Sequence, residues 1–472
     1  MNHAGVLSRR GFLQTSSAMA AAGLFCGGRW SEVSHAQKPG ERPVQAESVT
    51  VLNPRGRVPV SFIIDDSTCL VNVAHFKIPQ LAEVYPDRYR QDWRKLPREI
   101  PDSFVRKFGE WCREHGVKGK YSVVPYPACV GWIDRRMPGW SRKELEDSLA
   151  LVRDFMTVDW DIHPEMVSHT FAVDTKTGRP YAEKSERYLE NTGFSVGMST
   201  DEMTEYIAYA LQMMKSAGLP CEGVTTPGGF GSRARPALAE GTLQAVRGVY
   251  GAEIPHYFRD LYTDERSVAP LVQNVRGLDT DDPQCVVHTI GCTGDWFGGW
   301  DGLGEGSVDR FITEDLQGGR MPEVIDREEP AIMVCHWPGI YYNGEESGFR
   351  IFQEVVRRMH ARNDNLIWMK LSEISRYWAA KELTRIEERD GRIALNSPYA
   401  CREFTFECSL PGMKPPRVEI AAADGSAAEV LKVSEVKRVL DLKSGTWLRN
   451  GERVTLCVDL PKRRTVRVTE RA

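Results

Sequence analysis

The sequence predicts an α/β protein, a (β/α) barrel or a doubly wound sheet, followed by a small β domain. Three observations predict it. From Val58 onward, apolar runs of strand length alternate with amphipathic helical segments. The strand candidates are short and nearly continuous in hydrophobicity, as parallel strands buried on both faces are. Beyond about Lys381 the helical periodicity stops, and short alternating runs divided by Gly, Pro and Asp turns replace it. Residues 58–380 therefore carry the β/α repeats and residues 385–472 the β domain.

Taken in order, Val58-Pro59-Val60-Ser61-Phe62-Ile63-Ile64 is the first strand. Asp102 and Ser103 open a helix whose Phe104, Phe108 and Trp111 share one face, and Gly116 stops it. Lys120–Val124 is the next strand, completing a βαβ unit. Glu165–Ser168 reads as a strand. Ser199 and Glu202 form a capping box ahead of a helix buried through Met203, Ile207, Leu211 and Met214. Strands follow at Glu222–Thr225, Cys285–Ile290 and Ala331–Cys335. A helix with Phe349, Phe352, Val356 and Met359 on one face precedes a last strand at Leu366–Met369. In the β domain, Glu403–Glu407, Arg417–Ile420 and Val454–Val458 read as strands of a small sandwich. Its aromatic residues, Tyr399, Phe404, Phe406 and Trp447, fit packing better than a sugar-binding platform.

The N-terminus reads as an address. Ser8-Arg9-Arg10-Gly11-Phe12-Leu13-Gln14 precedes a short apolar stretch from Ala18 to Phe25, and Ser34-His35-Ala36 offers a small-x-small cleavage site. This is the layout of a twin-arginine export signal over residues 1–36, which implies a periplasmic or secreted protein. The apolar stretch is too short to span a bilayer, so no stable membrane insertion is expected. Residues 37–57, rich in Pro, Gly and charge, read as a linker. A net charge of −4 gives no basic surface for phosphates, and nucleic acid is not an expected partner. The cysteines show no zinc-knuckle spacing. Cys69, Cys129, Cys292 and Cys335 read as small buried residues or occasional bridges.

Chemistry-bearing residues gather where strands end, which is where α/β barrels place catalytic groups. Asp65-Asp66 closes the first strand, and two adjacent carboxylates there repel unless a cation or proton is shared. Ser168-His169-Thr170 ends another strand. Thr225-Thr226-Pro227-Gly228-Gly229 is a rigid loop after a third, and His336 closes the strand Ala331–Cys335. Two Asp and two His at strand ends supply hard and borderline metal ligands together with an acid–base pair.

At these positions the chain resembles the polysaccharide-deacetylase (NodB-homology) superfamily. Ser61-Phe62-Ile63-Ile64-Asp65-Asp66 is similar to its first motif, and Glu165–Thr170 to the start of its metal-binding His motif. Asp295-Trp296 resembles its pocket-lining Asp-Trp pair, and Ile332–His336 its last motif. Leu371-Ser372-Glu373-Ile374 matches its closing helix. The resemblance runs from Val58 to Trp378, with long insertions. It implies a distorted (β/α) barrel with the small C-terminal β-sandwich behind it. It also implies a carbohydrate substrate, deacetylation, and a divalent metal, zinc by default. The roles it implies are Asp65 as general base, His336 as general acid, Asp295 as an orienting carboxylate, and Asp66 and His169 as metal ligands. Trp296, Thr226, Gly228 and Trp337 line the substrate site, with Trp300 a further stacking candidate. Two departures stand out. The second metal His of the family falls at Val173, leaving Asp174 or His75 as the third ligand, and the arginine that supports the base is replaced by Thr225.

Two other readings fit the same residues. One is a glycoside hydrolase using paired carboxylates, Asp65 with Glu165 or Asp295, which needs no metal. The other is a non-catalytic sugar-binding protein of the same fold.

Overall fold

The apolar run that ends in the double aspartate is the middle strand of a parallel sheet. The computed structural model describes residues 40–410, 414–421 and 428–470, so the expected export signal lies outside the described residues. In chain order the first strands are β1 (Thr50–Val51), β2 (Val58–Asp65), β3 (Gly119–Val123), β4 (Trp160–Pro164), β5 (Val173–Asp174) and β6 (Arg179–Pro180). There follow β7 (Gly223–Thr225), β8 (His256–Leu261), β9 (Leu271–Arg276), β10 (Gln284–Gly291), β11 (Ala331–His336) and β12 (Leu366–Trp368). The helices are α1 (Val73–Val84), α2 (Asp102–Glu114), α3 (Arg142–Asp154), α4 (Thr200–Ser216) and α5 (Arg235–Tyr250). They continue with α6 (Arg320–Asp326), α7 (Trp337–Tyr341), α8 (Ser347–Arg362) and α9 (Leu371–Leu383).

β2 pairs in parallel with β11 on one side and, on the other, with β12 at its start and β3 further along, and β4 follows β3. A second sheet has the order β7-β8-β10-β9, parallel except for β9. The architecture is thus mixed α/β on parallel strands. The expected barrel is not a closed ladder. Among the described residues, β4 and β7 meet through the single bridge Glu165–Thr225, and Cys292 N donates to Ile332 O at 2.8 Å beside β10 and β11. The fold has two seams.

Strand alternation turns Ile63, Asp65, Lys120, Ser122, Asp161 and His163 to one common face, because their registers align across β2, β3 and β4. Deep on that face Ile63, Phe258, Val287 and Val334 join Leu371, Ile374 and Trp378 of α9 in one hydrophobic cluster. The opposite face of β2 packs under helices. Phe62 stacks on Phe352 with ring centroids 4.2 Å apart, and Phe108 lies against Trp160. The α2 and α4 expectations hold: Phe104 and Phe108 are buried, Trp111 is half-buried against Phe349 and Phe352, and the Ser199–Glu202 capping box is formed in both directions.

One strand is displaced from its expected place. Residues 165–168 are not a strand; β4 precedes them, at Trp160–Pro164. Asp161 and His163 interrupt its apolar character because they face inward, so a search for an apolar run passes over it. Residues 40–57 are not a free linker either. β1 pairs with Phe406 and Glu407, Ala46 N donates to Ile386 O, and Tyr377 donates its hydroxyl to Leu52 O.

The C-terminal strands are β13 (Arg385–Arg389), β14 (Arg392–Asn396), β15 (Cys401–Ser409), β16 (Pro416–Ile420), β17 (Glu429–Leu431) and β18 (Ser434–Glu435). The last three are β19 (Thr446–Asn450), β20 (Arg453–Leu460) and β21 (Thr465–Glu470). They form two five-stranded sheets, β1-β15-β20-β19-β18 and β13-β14-β21-β16-β17. Phe404, Phe406 and Tyr399 are buried in the cluster that continues into α9, which is packing as expected. That shared cluster runs through both parts, and the described residues form one compact unit. Cys69, Cys292 and Cys335 are buried thiols without a disulfide partner, and Cys129 is half-buried and also free. No helix among the described residues is long and apolar enough to cross a membrane.

Candidate metal centre and acid–base pair

β2 delivers Asp65 and Asp66 to the end of the sheet, and the two carboxylates diverge. Asp65 continues the strand alternation and points inward, where Lys120 Nζ donates to its Oδ1. The same ammonium donates to Ile64 O at 3.0 Å and to Ser122 Oγ at 2.7 Å. All three N–H bonds of a fully buried lysine are therefore used. Burial pushes the Asp65 carboxyl up and Lys120 draws it back; it settles at about 6.

Asp66 leaves the strand with φ of +56°, and its amide donates to Glu165 Oε2 at 2.7 Å. A left-handed backbone at a non-glycine residue costs about 1–2 kcal/mol, and such strain collects at functional positions. His169 has the same handedness, with φ of +63°. Its loop is held by Glu190, a buried carboxylate that accepts the amides of Val167, Ser168 and His169 and the hydroxyl of Tyr206. Glu190 thereby fixes the His169 imidazole against Asp66 and Glu165.

His169 Nε2 lies 2.7 Å from Asp66 Oδ1 and 3.0 Å from Glu165 Oε1. Asp66 Oδ1 is buried and receives no well-aligned hydrogen bond among the described residues, while Lys77 Nζ takes the other oxygen, Oδ2, at 2.5 Å. Two carboxylate oxygens and one imidazole nitrogen thus converge. That donor set fits a divalent cation of the zinc type. Burial pushes the Asp66 carboxyl up, yet His169 and Lys77 hold it well below the usual range. Burial pushes the His169 imidazole down, and Asp66 outweighs it, raising it to about 10. Loading a cation exchanges it for that imidazolium proton.

On the other side of β2, His336 is the register partner of Asp65. Its Nδ1 pairs with Asp295 Oδ2 at 2.9 Å, and Asp295 Oδ1 lies 3.4 Å from the His336 amide. Burial pushes this imidazole down, but Asp295 raises it to about 9, so it carries a proton at neutral pH. The site therefore sets a carboxylate poised near neutrality beside an imidazolium, with three convergent donors next to both. That arrangement can take a proton from a water and return one to a leaving group.

The structure brings Asp65, Asp66, His169, Asp295 and His336 together, but not the other expected ligands. Asp174 sits in the β5–β6 hairpin, where its carboxylate accepts from Lys176 N and Thr177 Oγ1 in a tight turn. His75 is a buried residue of α1 with Nδ1 on Leu96 O and its ring against Trp93. The third donor is Glu165. Trp337 is core: 1% exposed, it packs on Phe104, Phe108 and Tyr121. Thr226 directs its amide and hydroxyl to Phe258 O. Gly228 has φ of +45°, and a Cβ there would sit 2.8 Å from Asn191 O, so the loop docks tightly beside Glu190. Trp296 is half-buried under Arg310, and Trp300 is half-buried with Lys77 Nζ 4.6 Å above its ring. The residues missed by sequence reasoning are Lys77, Lys120 and Glu190. The signal available was a charge inside a largely apolar segment, which Lys77 and Lys120 show and Glu190 does not.

No family model matches the sequence, and no curated protein matches it. Among solved structures, the chain is similar to a probable polysaccharide deacetylase from Pseudomonas aeruginosa PAO1, at 10% identity and a TM-score of 0.35. It is similar also to Puue allantoinase, at 11% identity and a TM-score of 0.37. Each match covers 69% of this chain and 91% of the other. The catalytic domain of GH30 xylanase C from Talaromyces cellulolyticus follows, at 9% identity and a TM-score of 0.26, covering 90% of this chain and all of that one. The chemistry of the site accordingly rests on its own geometry.

Proposed function

We propose that the chain is a divalent-metal-dependent hydrolase that removes acyl groups, N-acetyl foremost, from a carbohydrate. In this reading the two parallel sheets are a NodB-like barrel opened at its seams, and the C-terminal sheets an accessory β-sandwich. One observation carries it: Asp66 Oδ1, Glu165 Oε1 and His169 Nε2 converge beside a lysine-held carboxylate and an aspartate-held imidazolium.

Asp66, Glu165 and His169 would hold the cation, which would supply Lewis acidity to an acyl carbonyl and to a water. Asp65 accepts the proton of that water as it attacks. Lys120 keeps Asp65 ionised and fixes its carboxylate plane. His336, oriented by Asp295, donates its proton to the departing amine or alkoxide oxygen. A paired-carboxylate glycosidase is less well supported, because both Glu165 oxygens are engaged, one by the Asp66 amide and one by His169.

The test is acetate release from a panel of N- and O-acetylated oligosaccharides. Activity should vanish on chelation and return with zinc or cobalt. Release that persists in full after exhaustive chelation, with metal content at zero, refutes the reading.

The twin-arginine motif supports export as part of the same proposal. Arg9→Lys with Arg10→Lys should retain the protein in the cytoplasm, as read by cell fractionation. Normal export of that variant removes this part alone.

A further inference from the structure

β4 and the residue after it place Asp161, His163 and Glu165 at alternate positions on one face. Glu165 belongs to the centre described above. The other two belong to a second cluster, set deeper toward α9, with His163 about 7 Å along the strand from Glu165. His163 Nε2 lies 2.9 Å from Nε2 of His256 on β8, and His256 Nε2 lies 3.9 Å from Asp161 Oδ2. Both imidazoles are fully buried.

The cluster lies on the face that also carries Lys120 and Ser122, the register partners of Asp161 and His163, and buried imidazoles need a partner for each ring nitrogen. Three features shape the cluster around the space between the two Nε2 atoms. β7 contributes Gly223, where a Cβ would sit 2.7 Å from both of them, so the glycine leaves that space open. Thr225 Oγ1 lies 3.3 Å from His163 Nδ1. With Nδ1–H donating to it, the Nε2 lone pair of His163 faces His256, as the outer partner of a metal-ligating histidine arranges. Asp161 is fixed by the amide of Ser372 at 2.6 Å and its hydroxyl at 2.8 Å, at the start of α9. An ion set beside them would take the lone pair of each Nε2.

We propose that Asp161, His163 and His256 form a second site, for a divalent first-row transition-metal ion, that ties β4, β8 and α9 together across the open seam. Two neutral imidazole nitrogens and a carboxylate oxygen are a borderline donor set suited to zinc, cobalt, nickel or iron. Their Nε2–Nε2 separation fits neighbouring positions on an octahedral ion, where ligands at about 2.1 Å lie about 3.0 Å apart. The buried imidazoles make the role structural. The seam explains its place, since only the Glu165–Thr225 bridge joins β4 to β7 among the described residues.

The alternative is a proton shared between the histidines in place of an ion, and cobalt binding to the full chain distinguishes the two. His256→Gln and His163→Gln should each bind about one cobalt equivalent fewer than the wild type, whatever the wild-type total. Their melting temperatures should also respond less to added cobalt. An Asp66→Asn, His169→Gln variant, which removes donors only from the upper centre, should keep the equivalent that His256→Gln loses. Unchanged stoichiometry in folded His256→Gln overturns the proposal. If the histidine variants do not fold, the Asp66→Asn, His169→Gln protein decides alone. Retained cobalt with nitrogen ligation in its X-ray absorption supports the site, and no bound cobalt in that folded protein overturns it.

Discussion

Asp65→Asn lowers kcat for deacylation by about a hundredfold or more, and His336→Gln does the same, because each removes one half of the proton traffic. Their pH profiles separate the roles. A base must be ionised and an acid protonated, so the wild-type rate rises as pH passes the Asp65 value of about 6 and falls as it passes the His336 value of about 9. A nearby cation favours ionised Asp65 and deprotonated His336, so loading it moves both limbs to lower pH. Asp65→Asn should lose the acidic limb and His336→Gln the alkaline one. Rate profiles of both variants, with metal content measured alongside, check this. A wild-type kcat in either variant removes the role assigned to that residue.

Lys120→Met should destabilise the fold by about 3–5 kcal/mol, because it strands the Asp65 carboxylate in a buried site. The loss has a sign as well as a size. Without the ammonium, burial and the Glu165 charge push the Asp65 carboxyl up against His336 alone, so it titrates higher and the acidic limb of activity moves up in pH. Urea denaturation and the rate profile read the two effects. A variant as stable as the wild type, with an unmoved limb, contradicts the pairing.

The parts of the site legible in the sequence are those that end apolar runs. Asp65-Asp66 and His336 stand at the close of β2 and β11, where an abrupt charge after a buried strand has few bland explanations. Glu165 was legible as a residue but not as a ligand, because its strand was misplaced. β4 reads Trp-Asp-Ile-His-Pro, and its inward polar residues break the continuous apolar run that marks a strand buried on both faces. Lys120 looked like an ordinary charge in a short strand, and only the register of β3 against β2 turns it onto Asp65. The supporting cation that Thr225 does not supply comes from Lys120 on the neighbouring strand. Glu190 was beyond reach of sequence reasoning, since its function is to hold a loop more than twenty positions away in the chain. Asp174 was favoured by adjacency to Val173, and the hairpin turn at Asp174–Gly178 claims its oxygens instead. Trp337 illustrates the reverse error, an aromatic beside a catalytic histidine that the helix α7 carries into the core.

The most direct test is zinc anomalous diffraction from crystals of the metal-loaded protein. The account predicts a peak bonded to Asp66 Oδ1, Glu165 Oε1 and His169 Nε2, at about 2.0–2.2 Å from each. Zinc-saturated crystals with no peak at those three atoms, and with Lys77 and His169 still paired to Asp66, would contradict it.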